Sequence, residues 1–274
     1  MALLFFGCAF FCTAVIHAVL KYQLGVWVRA RAFSPSMLSP MGTLFALFVA
    51  FTAAQVWSDT DRATAAVAQE ASALRSVVIL ADAFPAESRE RLETLIHRHI
   101  EEVATKEWPM MARRTATLDV VPRHLVEALQ FALALMPTSQ GQGVAQREIT
   151  VELESALDAR RQRILISQSS VSSVKWACLL IEGICVLITI ALTHGGERPS
   201  ALAAMGLFAT AAAACFLLIA AYDRPFVGQI SIRPDPLLQA MPQRSGLGLN
   251  LKQYLISGRI SVTEPFNKPA GERI

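Results

Sequence analysis

Charge is scarce in this sequence. Asp, Glu, Lys and Arg make up 17% of its 274 residues, against about 25% in a soluble domain. The net charge of +3 is too small to hold a nucleic-acid backbone, so nucleic acid is not expected as a partner. The five cysteines, Cys8, Cys12, Cys178, Cys185 and Cys215, all lie in apolar runs. That placement excludes a disulfide framework, and the spacings match no zinc site. Catalytic signatures are missing: no Walker loop, dinucleotide fingerprint, HExxH or GxSxG occurs. His97 and His99 stand two apart and so fall on different faces of a helix. His97 with Glu101 makes only two ligands, and the expected place for both is a solvated face. No metal, cofactor or catalytic residue is expected, and the chain does not read as an enzyme. Proline is absent between Pro40 and Pro85 and between Pro137 and Pro199. Nothing in those stretches has to break a helix.

What is present is apolar sequence in four runs, each near the 20 residues that a bilayer core requires. Ala2 to Leu20 carries no charge and stops at Lys21. Met41 to Trp57 carries none and stops at Asp59. Val174 to Thr193 holds Lys175 at its edge and Glu182 inside. Ala201 to Tyr222 carries none and stops at Asp223-Arg224. The first run lacks the basic start and cleavage site of a signal peptide. Phe5-Phe6-Gly7-Cys8 lacks the small residue a lipobox needs. The fourth run is rich in alanine, and Gly206 with Thr210 gives a small-xxx-small spacing suited to close packing in lipid. Glu182 is costly inside a span and must face protein or water. It is expected to be held neutral or bonded to a hydroxyl such as Thr210.

The chain thus divides into residues 1–57 (two spans and their loop), 58–173 (a charged region), 174–222 (two spans) and 223–274. The charged region holds 13 basic and 16 acidic residues and is helical by its spacings of three and four. Val67, Leu74, Val78 and Ala81 share one face. Leu92, Ile96, His99 and Val103 share another, as do Leu125, Leu129, Leu133 and Met136. Ile149, Leu153, Leu157, Arg160 and Ile164 make a further stripe. Thr138 to Gly143 reads as a loop. The second span is expected to run on into this region as one helix, and the third to begin outside the membrane as a long helix. The Ser167–Ser173 cluster is expected at the interface. Asp223 to Met241 is expected to be ordered against the body, and Gln243 to Ile274 to be a flexible tail.

Several residues carry a resemblance. Trp57 closes the second span, followed by Ala63, Ala66 and Glu70-Ala71-Ser72-Ala73-Leu74. Glu107-Trp108-Pro109 lies in the charged region. Arg160-Arg161-Gln162-Arg163 precedes the third span, and Trp176 lies at its start. Asp223-Arg224-Pro225-Phe226-Val227-Gly228 follows the fourth, then Ile230-Ser231-Ile232 and Pro234-Asp235-Pro236-Leu237. In this order around four spans, they resemble a bacterial family with a bestrophin-like domain, across roughly Met41 to Met241. The chain is more distantly similar to bestrophins, which are pentameric anion channels. The turn Arg224 to Gly228 stands where those have an Asn-Pro-Phe-Gly-like turn. The acidic run that clasps calcium in the animal proteins is replaced here by Gln229 to Ile232, which argues against calcium gating.

The resemblance implies an all-α membrane protein: four transmembrane helices with a helical extramembrane domain between the second and third. It implies a homo-oligomer, a pentamer by analogy, in membrane lipid, passing small anions through a pore lined by the second helix. Leu44, Phe48 and Phe51 are the lining candidates, with Phe45 and Phe48 competing if the helix is rotated. A bacterial inner membrane is the expected location, with the charged region and both termini cytoplasmic. The loop charges Lys21, Arg29 and Arg31 conflict with that orientation. The alternative is a non-conducting scaffold or sensor whose helical domain binds a partner. Trp57 and Trp176 also read as interfacial anchors. The Arg160–Arg163 run reads either as ion pairs with Glu152, Glu154 or Asp158, or as a ring attracting anions.

Overall fold

The computed structural model describes residues 2–27, 35–193, 198–228 and 230–242, all helix and connecting turn with no strand among them. Lys21, Arg29 and Arg31 of the first loop and the tail Gln243 to Ile274 lie outside the residues whose side chains are described. The helices are α1 (Ala2–Trp27), α2 (Leu38–Ala81), α3 (Ala86–Glu102), α4 (Trp108–Ala112), α5 (Arg123–Ala134), α6 (Gln140–Gln168), α7 (Ser173–Thr193), α8 (Arg198–Tyr222) and α9 (Asp235–Ala240). A short 3₁₀ turn, Pro35–Met37, precedes α2, and a π turn, Val103–Glu107, joins α3 to α4. Among the described residues, four helices are long and apolar enough to cross a membrane: α1, α2, α7 and α8. As the absence of proline led us to expect, α2 is unbroken for 44 residues, about 66 Å at 1.5 Å per residue.

The chain forms two compact units. The first comprises residues 1–66, 108–118 and 161–232. Its core is built from α2, α7 and α8: Phe45, Val56, Leu179, Val186, Met205, Ala209, Phe216 and Ile219. Lipid is as apolar as these side chains, so close packing rather than water exclusion holds the helices together. Gly183 serves that packing, because a Cβ there would sit 3.6 Å from a ring carbon of Phe45. The packed face of α8 is Met205–Ala209–Ala212–Phe216. Thr210, by contrast, is exposed, and a Cβ on Gly206 would meet nothing. Their small-xxx-small spacing therefore lies off the packed face.

One expectation fails here. The third span does not begin as a long helix, because the chain leaves helical geometry at Ser169–Ser172. The reason lies in local hydrogen bonds that compete with the helix. Asp223 Oδ1 accepts the Val171 N–H at 2.6 Å. Gln168 donates to the Ala116 carbonyl. Ser172 Oγ accepts the Lys175 N–H at 3.4 Å, an N-cap for α7. Gln168 and Asp223 hold the break, and Ser172 starts the next helix.

The second unit comprises residues 67–107, 119–160 and 233 onward. Leu74, Leu92, Ile96, Ile100, Leu125, Ile149 and Leu153 are fully buried in it. The α5 stripe is rotated from its expected position: Leu125, Ala128 and Ala132 are buried, while Leu133 and Met136 are exposed. The helix end explains this. Leu135 is already extended, and Gln146 Nε2 donates to the carbonyls of Ala132 (2.9 Å) and Leu135 (2.7 Å), capping α5 from outside. Thr138–Gly143 is not a plain loop. Ser139 Oγ accepts the Gln142 N–H at 3.2 Å and Gln142 Oε1 accepts the Thr138 N–H at 2.8 Å. The S-x-x-Q spacing of a capping box thus starts α6 at Gln140. In α9, Leu237 and Leu238 are buried, and the Gln239 carbonyl accepts from Arg75 at 3.4 Å. α9 thus packs into this unit.

Candidate functional site

Residues 38–57 of α2 carry no charge, and the helix presents two unlike faces. Phe45 is buried, its ring 5.3 Å from that of Phe208 and 6.1 Å from that of Phe216. Phe48 packs partly against the same core. On the other side Leu44 (57% exposed), Leu47 (50%) and Phe51 (66%) form an uncovered strip. Their spacings of three and four make it continuous along the helix. Of the three sequence candidates, Leu44 and Phe51 lie together on that strip and Phe48 lies at its edge. Leu47 was missed, though the spacing 44, 47, 51 would have found it. Of the alternative pair, Phe45 and Phe48, the first is buried in the core and the second partly packed against it.

The ends of the helices of this unit are aromatic. Phe5 stands 6.4 Å from Trp176, and Trp57 stands edge-on to Tyr222 at 6.5 Å. The starts of α1 and α7 and the apolar end of α2 therefore lie at the same end as the close of α8. Glu182 lies inside α7. Its Oε2 is buried without a hydrogen-bond partner. The Thr210 hydroxyl does not serve it, because that group donates to the Gly206 carbonyl of its own helix at 2.8 Å. Helix back-bonding by a threonine consumes the only proton the hydroxyl has.

The residues that carry the resemblance gather in two clusters. In the first unit, Trp108 is the centre. Its indole N–H donates to the Ile232 carbonyl at 3.2 Å, and Phe226 meets it edge-on at 5.6 Å. The fully buried Arg163 places its guanidinium 5.2 Å from the Trp108 ring and 3.3 Å from Met111 Sδ. Buried Pro225 offers its carbonyl to the Ile232 N–H at 2.8 Å. Gly228 makes this turn with φ +99°, where a side chain is strained. Pro109 follows directly on the π turn Val103–Glu107, where the regular i→i−4 hydrogen-bond ladder is already shifted. Arg224 is exposed. The motif after the fourth span, with Asp223 on Val171, is a clasp around Trp108.

In the second unit the charges are buried and paired. Arg160 donates from Nε and Nη2 to Glu107 Oε1 at 2.8 and 2.6 Å, and from Nη2 to the Val120 carbonyl at 3.0 Å. Its carboxylate partner is Glu107. Arg160 lies on the inner stripe with Ile149 and Leu153, whereas Glu154 and Asp158 face out. Arg160 and Arg163 are buried, whereas Arg161 is exposed. Glu70 and His99 are both buried, with Oε1 and Nε2 3.2 Å apart. His99 is thus not on a solvated face. Its place on the Leu92–Ile96–His99–Val103 stripe was the signal for burial. Among the described residues no group of His, Cys, Asp and Glu fits a metal ion.

The comparisons with known proteins agree with this architecture. The Bestrophin-like domain family matches residues 3–237. A crystal structure of a bacterial Bestrophin homolog from Klebsiella pneumoniae is similar with a TM-score of 0.64 at 14% identity, covering 89% of this chain and all of that one. A point variant of such a homolog gives a TM-score of 0.67 at 12% identity, covering 93% and 99%. At these identities the likeness is one of fold. No curated protein matches the chain at the level of sequence. Four apolar helices, a charged helical unit and a clasp after the last span coincide with a family match over most of the length, and the chain belongs to the Bestrophin-like family.

Proposed function

We propose that the protein is an oligomeric bestrophin-type channel of the bacterial inner membrane, passing small anions along an axis lined by α2. The observation that carries this reading is the strip Leu44–Leu47–Phe51. It is uncharged, uncovered in one chain, and opposite the face on which Phe45 packs. Repeated by symmetry about an axis, it makes an apolar constriction of the kind that gates by dewetting. Ring edges of Phe51 favour anions modestly, and the absence of carboxylates from this stretch disfavours a cation path. The charged region and both termini are assigned to the cytoplasm by analogy with the family.

Cysteine substitution tests the lining. Phe51→Cys in planar bilayers should lose current on treatment with a charged methanethiosulfonate. Leu207→Cys, on an exposed face of α8, should not respond. Equal responses from both, or from neither in a conducting protein, would remove α2 from the pathway.

A further inference from the structure

A groove of about 280 Å³ runs between α1, α7 and α8, lined among others by Phe5, Cys8, Cys12, Trp176, Leu187 and Phe208. Nothing in the channel reading uses it. Its dimensions say what it fits. From Leu4 to Cys12 on α1 and from Trp176 to Leu187 on α7 it extends about 12–16 Å at 1.5 Å per residue. That is half of an apolar core about 30 Å thick, so the groove is one leaflet deep. Spread along that length, its volume makes a narrow slot that a single methylene chain can follow. The lining is apolar apart from the two thiols, and one end holds the paired rings of Phe5 and Trp176, which are suited to the headgroup level. A lipid chain would also supply the dispersion contacts that these walls lack on their open side.

We propose that the groove is a binding site for one acyl chain of a phospholipid, drawn from the leaflet at the Trp176 end. The site is independent of whether the protein conducts. The test is native mass spectrometry of the full chain released from vesicles of phosphatidylethanolamine and phosphatidylglycerol. One retained phospholipid per chain is expected. Cys12→Trp, which fills the groove, should lower that occupancy at least tenfold, and Leu207→Trp on the exposed face of α8 should leave it unchanged. Ala9→Phe, also in the lining, serves if Cys12→Trp does not fold. No retained lipid in the wild type, or equal retention in the filled variants, overturns the proposal. So does a short bismaleimide cross-link joining two chains through Cys8, which would assign the groove to a second copy.

Discussion

At the scale of single residues, the consequential groups are buried charges. Glu107→Ala leaves the Arg160 guanidinium buried without its carboxylate, and losing one partner of such a pair costs about 3–5 kcal/mol. A lower thermal unfolding midpoint in detergent is the expected result, far below that of an exposed control such as Glu154→Ala. Gly228→Ala forces a side chain into positive φ and should cost about 1–2 kcal/mol, read by the same measurement. Glu102 is different in kind. The hydrogen bond from Lys106 at 3.0 Å holds its carboxyl below the usual carboxylate range. A lowered value means the contribution is present above the unfolded pKa and is lost as pH falls through the folded one. Lys106→Ala should therefore be less stable than wild type at neutral pH, with the gap closing in acid. Glu182→Gln should fold and assemble as wild type does, because no partner of its buried Oε2 is lost. Aggregation of this variant on size exclusion would show that its charge is structural. The pairings themselves were not legible in the sequence. Glu107 and Arg160 lie 53 residues apart, and only the fold brings them together. The burial of His99 was legible, since it repeats with Leu92 and Ile96.

At the scale of elements, what proline and apolar length determine was readable, and what hydrogen bonds determine was not. The unbroken α2 follows from the missing prolines. A proline at exposed Ala65, mid-helix, should cost 3 kcal/mol or more and abolish monodisperse elution, while Ala65→Ser should not. The break at Ser169–Ser172 was not foreseen, because its strongest bond comes from Asp223, 52 residues away. Asp223→Ala strands the Val171 N–H and should cost about 1–3 kcal/mol. The start of α6 was hidden for a simpler reason. Two glycines, Gly141 and Gly143, mask a capping box that Ser139 and Gln142 spell out.

At the scale of the whole molecule, the four candidate spans, the all-helical class and the family were legible from run lengths and motif order. The face that α2 leaves uncovered was half legible. The pattern 44, 48, 51 found the strip but could not tell that Phe48 leans on the core. The central claim is that this strip lines a conducting path in an oligomer. Its most direct test is the chloride conductance of the purified oligomer in planar bilayers, wild type against the double variant Leu44→Ala, Phe51→Ala. The account predicts chloride current in the widened variant that exceeds the wild type's. Silence from both, with the oligomer intact by single-particle imaging, would contradict it and leave a non-conducting scaffold as the better account.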